Sequence, residues 1–142
     1  MSVAILSTLH PAFRPIVERI LRDAQIALDA DAPTNDLVRP TIGIRSIEAQ
    51  QTAFNAGLSQ VKIGWHQYGL ALDFGIFNNS GVQYVTDGTD QRYRLVGEIA
   101  KRAGCIWGGD WQRPDWDHIE WHPGFTLGHY ISWLDAHTPV HA

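Results

Sequence analysis

His66, Asp73 and His118, with the carboxylates Asp115, Asp117 and Glu120 around the last of them, are the residues whose types could do chemistry together. Imidazole nitrogen and carboxylate oxygen form the mixed donor set that a borderline cation such as Zn²⁺ accepts. Gly69 lies between His66 and Asp73. If His66 ends a turn and Asp73 lies in the strand that leaves it, this glycine lets the backbone fold the two together. Asp73 sits between Leu72 and Phe74 in an apolar run, where a lone charge is costly unless paired or metal-bound. The alternative to a metal is a salt bridge to an arginine such as Arg45.

His118 falls in a strand-like segment in which His118 and Glu120 share a face, so Glu120 could orient the imidazole from behind. Asp115, three residues earlier, could reach across the turn toward a water on the metal. A competing pair, His118 with His122, has the spacing of one helical face, but Pro123 and the strand-like neighbours argue against a helix there. Arg45, between a predicted strand and a helix cap, could offer a fork of donors to a carboxylate or a developing oxyanion. His10, His129, His137 and His141 read most simply as surface or packing residues.

The elements that must position these groups follow from periodicity and punctuation. From Pro11 to Ala30 the apolar residues recur at three- and four-residue spacing, which predicts an amphipathic helix whose start Pro15 can delay. Val38 to Ile44 reads as a strand, near an edge because of Pro40. Ser46 caps a second predicted helix to about Ala56, and Leu58 to Trp65 reads as a loop. Leu70 to Phe77 and Val82 to Val85 form a predicted hairpin around Asn78-Asn79-Ser80-Gly81. Asp90 to Ala103 reads as a helix stopped by Gly104. A turn at Gly108-Gly109, a short strand from Asp117 to Trp121 and a helix from Thr126 to Ala136 complete an α+β arrangement, a small antiparallel sheet flanked by helices.

Composition narrows the function classes. The 142 residues make one domain, expected to span 1–142 without a separate wall-binding module. A net charge of −4 with no run of Lys or Arg argues against nucleic acid and against a polybasic route to membranes. The single cysteine, Cys105, excludes an internal disulfide and reads as a buried small hydrophobe. Met1 to Leu9 lacks the positive region of a signal peptide, so synthesis in a cytoplasm is expected, with release by another agent. Of six tryptophans, Trp107, Trp111, Trp116 and Trp121 crowd the candidate site, as pocket wall or as packing.

One order of motifs is specific: Gly43-Ile44-Arg45-Ser46, Gln50, His66-x-x-Gly69-x-Ala71-x-Asp73, Trp107-Gly108-Gly109-Asp110-Trp111, and Asp115-x-x-His118-x-Glu120. It resembles the D-Ala-D-Ala and L-alanyl-D-glutamate zinc peptidases, most closely the L-alanyl-D-glutamate endolysins of bacteriophages. The resemblance implies a hedgehog/DD-peptidase-like fold and a single Zn²⁺ held by His66, Asp73 and His118. It implies Asp115 as general base and Arg45 as the arginine that binds substrate and transition state, with Glu120, Gln50 and Asp110 in supporting or substrate-contacting places. The implied substrate is the stem peptide of bacterial peptidoglycan, cut at the L-alanyl-D-glutamate bond; the protein is expected to be a monomer. The alternatives are a D-Ala-D-Ala carboxypeptidase or dipeptidase, and a non-catalytic zinc-stabilised wall-binding domain. Family members often carry a small polar residue two places before the first zinc histidine, where this chain has Gly64.

Overall fold

The computed structural model describes residues 3–31, 35–44, 52, 55–57, 65–78, 81–122 and 124. Most of the helix expected from Ser46 to Ala56, most of the Leu58 to Trp65 loop, Asn79 and Ser80 of the hairpin turn, and the helix from Thr126 to Ala136 lie outside the described residues, as do Arg45 and Gln50.

A short helix, α1 (Val3–Leu6), precedes α2 (Arg14–Asp31). The long helix begins at Arg14, not at Pro11. That puts Pro15 in the first turn, where a missing N–H costs nothing. Val17, Ile20, Leu21, Ala24 and Leu28 are its buried stripe, continued by Phe13 just before its first turn. The first strand, β1 (Leu37–Ile42), is tied to α2 by Gln25, whose amide donates to the Asp36 carbonyl (2.8 Å) and accepts from the Val38 N–H (3.1 Å).

A 3₁₀ turn, Trp65–Tyr68, leads into β2 (Ala71–Asn78), the strand on which the sheet is built. It pairs antiparallel with β1 along one edge, and with both β3 (Gln83–Tyr84) and β5 (His118–Glu120) along the other. A two-residue strand, β4 (Ile106–Trp107), closes the order β1-β2-β5-β4. This pairing was not visible in the sequence, because two residues carry no period. Among the described strands β1 lies at the edge, as Pro40 suggested, with an irregularity between Pro40 and Ile42. Helix α3 (Gln91–Arg102) is capped by Asp90, whose side chain accepts from the Arg92 N–H.

Alternation along β2 separates two jobs. Leu72, Phe74 and Ile76 enter the core with Val38, Ile119, Trp107 and the stripes of α2 and α3. Ala71, Asp73 and Gly75 point to the other face, where β5 presents His118 and Glu120. Cys105 is buried, and burial pushes its thiol up to about 12, as befits a packing residue. No described helix is long and apolar enough to cross a membrane.

Candidate metal centre

Each donor of the predicted set arrives on a different piece of backbone. Asp73 comes from the middle of β2, and His118 stands directly opposite it at the start of β5. His66 comes from the 3₁₀ turn before β2, and Gly69 makes the return with φ +70°. A Cβ at Gly69 would lie 2.7 Å from the His10 backbone nitrogen, so both the turn and the close approach require glycine. His10 N–H donates to the Gly69 carbonyl (2.8 Å), fastening the turn to the N-terminal segment.

His66 Nε2 and His118 Nδ1 each lie 3.2 Å from Asp73 Oδ1. All three side chains are buried, and their candidate ligand atoms lie within 4.8 Å of one another. The outward nitrogens are also spoken for. His66 Nδ1 donates to the Gly43 carbonyl (2.8 Å), and His118 Nε2 donates to Glu120 Oε1 (2.9 Å). Those bonds direct the lone pairs of His66 Nε2 and His118 Nδ1 toward Asp73 once both rings are neutral.

Two edges of the donor set have the length expected around a tetrahedral metal. Ligands about 2.0–2.1 Å from a tetrahedral zinc stand about 3.3 Å apart. The two nitrogens stand 3.2 Å from Asp73 Oδ1. Electrostatics agree. Burial works to raise the Asp73 carboxyl, but hydrogen bonds and charge from His118 and His66 outweigh it and hold the group well below the usual carboxylate range. Burial would lower His118, yet Asp73 and Glu120 lift it to about 10. The pocket thus has a strong affinity for positive charge, met by a proton or by a cation.

Beside this cluster stands a second group, Asp73, Asp115 and Asp117. Asp115 is half exposed, with Oδ2 at 3.9 Å from His118 Nδ1. Asp117 is pushed up to about 8 by burial, by the negative charge of Asp73 and by its hydrogen bond to Asp115. Burial thus favours its protonated form, which can donate a hydrogen bond to the Asp115 carboxyl. The sequence placed Asp117 among the carboxylates around His118 without a role of its own; what sets it apart is burial, which strand alternation alone does not reveal.

Gly108 explains the Gly-Gly turn. Its carbonyl accepts from the N–H groups of Asp115 (2.9 Å) and Trp111 (3.2 Å), and a Cβ there would lie 2.5 Å from the Asp115 carbonyl oxygen. Trp107 packs in the core below and donates its indole N–H to the Trp116 carbonyl (2.8 Å). Of the four crowded tryptophans, Trp107, Trp116 and Trp121 pack with the core, and Trp111 lies against His118 with ring centroids 5.1 Å apart. Asp110 pairs with Lys101 (2.8 Å) at the end of α3. His118 and His122 do not share a helix; both contact the Glu120 carboxylate, from opposite sides.

Comparison with known proteins agrees with this geometry. A family profile described as D-alanyl-D-alanine carboxypeptidase matches residues 59–121. The peptidoglycan L-alanyl-D-glutamate endopeptidase CwlK of Bacillus subtilis is 32% identical over 136 residues, covering 82% of this chain and 75% of that protein. An L-alanyl-D-glutamate peptidase of a Listeria phage is 37% identical over 68 residues, 48% of this chain and 24% of the phage protein. Two solved structures share the fold. The Serratia marcescens L-Ala D-Glu endopeptidase ChiX has TM-score 0.64 at 23% identity, over 84% of each chain. The vancomycin-resistance D,D-pentapeptidase VanY, in complex with Zn(II), has TM-score 0.53 at 18% identity, over 87% of this chain and 83% of that one. At 32% identity over three-quarters of the Bacillus protein, with His66, Asp73 and His118 gathered into one cluster, this chain is a metallopeptidase of the L-alanyl-D-glutamate and D-Ala-D-Ala peptidase family.

Proposed function

We propose that the protein is a zinc-dependent peptidoglycan peptidase that hydrolyses the L-alanyl-D-glutamate bond of the stem peptide. The observation that carries this reading is the convergence of His66 Nε2, Asp73 Oδ1 and His118 Nδ1, with the Asp115 carboxylate beside them. The choice of bond follows the Bacillus and phage relatives, both named for it. The proposed role is that of an endolysin acting on the wall after release from the cytoplasm, in keeping with the phage source of one relative.

His66, Asp73 and His118 would hold one Zn²⁺ and leave a position open to solvent. The ion supplies Lewis acidity, polarising a carbonyl and lowering the pKa of a water toward about 7. Asp115, exposed enough to meet solvent and substrate, takes a proton from the attacking water and hands it to the leaving amine. Asp117 holds Asp115 by a hydrogen bond through this exchange. Arg45 is the proposed electrostatic partner of the tetrahedral oxyanion, with Gln50 as a substrate contact.

Digestion of purified peptidoglycan, with and without chelator, followed by mass spectrometry of the fragments tests the assignment. The expected products are glycans ending in L-Ala and peptides starting at D-Glu, both abolished by chelator. Release of D-Ala alone would move the assignment to a carboxypeptidase, the reaction in the matched family's description. No fragments from a zinc-loaded protein would favour a binding domain.

A further inference from the structure

His122 has no part in the motif order that marks the family resemblance, yet it completes a chain of contacts that ends at a proposed metal ligand. Glu120 Oε1 accepts from His118 Nε2 at 2.9 Å, and Glu120 Oε2 accepts from His122 Nε2. The carboxylate is buried, so each of its oxygens depends on a protein donor. The His122 ring lies flat on Trp65, with centroids 3.9 Å apart and planes 17° from parallel. Trp65 is the residue before His66 and opens the same 3₁₀ turn. The two proposed histidine ligands are therefore joined twice, once through Asp73 and once through Glu120, His122 and Trp65.

We infer that His122 is a positioning residue for the metal centre: its Nε2–H and its stack on Trp65 fix Glu120 so that His118 keeps Nδ1 turned toward Asp73. Without the His122 donor, Glu120 has a buried oxygen with a lost partner and can rotate to regain one, taking the His118 ring with it. The stack on Trp65 holds the His122 ring where its Nε2–H meets Glu120. The inference rests on the zinc reading given above, and its test reports on each separately.

Zinc dissociation constants from chelator competition at one neutral pH, with the absorption spectrum of the cobalt(II) form, provide the test. His122→Phe keeps a ring for Trp65 but has no donor. His122→Gln keeps a donor of similar reach, and His122→Asn keeps an amide too short to reach Glu120. The expected result is a weakening of about 10–100-fold for His122→Phe and His122→Asn, with altered cobalt bands, and recovery to within about threefold of wild type for His122→Gln. In a Glu120→Gln background the His122→Phe loss should largely vanish, because His122 acts through Glu120. Should His122→Phe fail to fold, the contrast between His122→Asn and His122→Gln decides. Wild-type affinity in the donor-less variants, or full additivity with Glu120→Gln, would overturn the inference while leaving the zinc reading intact. A wild-type protein that takes up no zinc would overturn both.

Discussion

The Gly43 carbonyl lies 2.8 Å from His66 Nδ1, so the tautomer of the first proposed ligand is set by backbone far from it in sequence. That carbonyl is held by the N-terminal segment. Thr8 Oγ1 donates to the Ile5 carbonyl (2.6 Å) and accepts from the Ile44 N–H (3.0 Å), and a Cβ on Gly43 would collide with the threonine hydroxyl. Thr8→Val keeps the shape and removes both bonds. It should cost about 1–2 kcal/mol of stability and weaken zinc binding by up to about tenfold, read by denaturant melts and chelator competition. Unchanged zinc affinity would separate the N-terminal segment from the site.

Asp115→Ala should bind zinc within about threefold of wild type and lose about 10²–10⁴-fold in kcat, the range for a general base. Isothermal titration and hydrolysis of a muramyl peptide would show both. Asp117→Asn removes the proton that supports Asp115 but keeps a hydrogen-bonding group, and a smaller loss in kcat is expected. If Asp117→Asn proves the more damaging change, the two carboxyls exchange roles.

His118 yields a pH prediction for the metal-free protein. Its value is raised from the ordinary 6.5 to about 10 in the fold. A raised histidine contributes stability that is complete below pH 6.5 and lost as pH rises through about 10. Asp117 acts in the same direction between its ordinary 3.8 and about 8, since ionising it in place is harder than ionising it in the unfolded chain. The melting temperature without metal should therefore fall from pH 6.5 toward 10. Zinc should reverse the trend, because it binds neutral imidazole and its affinity grows as the proton leaves. Calorimetric melts across this range, with and without zinc, check both slopes; parallel slopes would contradict a shared site for proton and metal.

Gly108→Ala places a methyl 2.5 Å from the Asp115 carbonyl oxygen and 3.2 Å from the His118 Cβ. The loop must shift, at a cost of about 1–3 kcal/mol. Activity should drop more than zinc affinity, because Asp115 lies on the displaced loop while Asp73 and His66 do not. Equal losses in both would show that the loop and the metal ligands move as one body.

Much of this site was legible in the sequence, because polar residues in apolar strands announce themselves. Asp73 between Leu72 and Phe74 needed a partner, and the alternation of His118 and Glu120 put both on one face, as the β5 ladder shows. The helical stripe of α2 was equally plain, although its first turn started later than Pro11. What could not be read was long-range. Nothing local in Val3 to Leu6 says that this segment buttresses Gly43, nothing in Ile106-Trp107 announces a strand, and nothing in His122 says that it shares Glu120 with His118. Those relationships exist once separate segments meet. The ion pair of Asp110 with Lys101 is likewise a contact that its place in the family motif did not announce.

The most direct measurement is anomalous scattering at the zinc edge from crystals of the zinc-loaded protein. The account predicts one strong peak about 2.0–2.2 Å from His66 Nε2, Asp73 Oδ1 and His118 Nδ1, with Asp115 close by and unligated. A peak between Glu120 and His122, a peak on Asp115 and Asp117 without the histidines, or no peak at full zinc loading would contradict it.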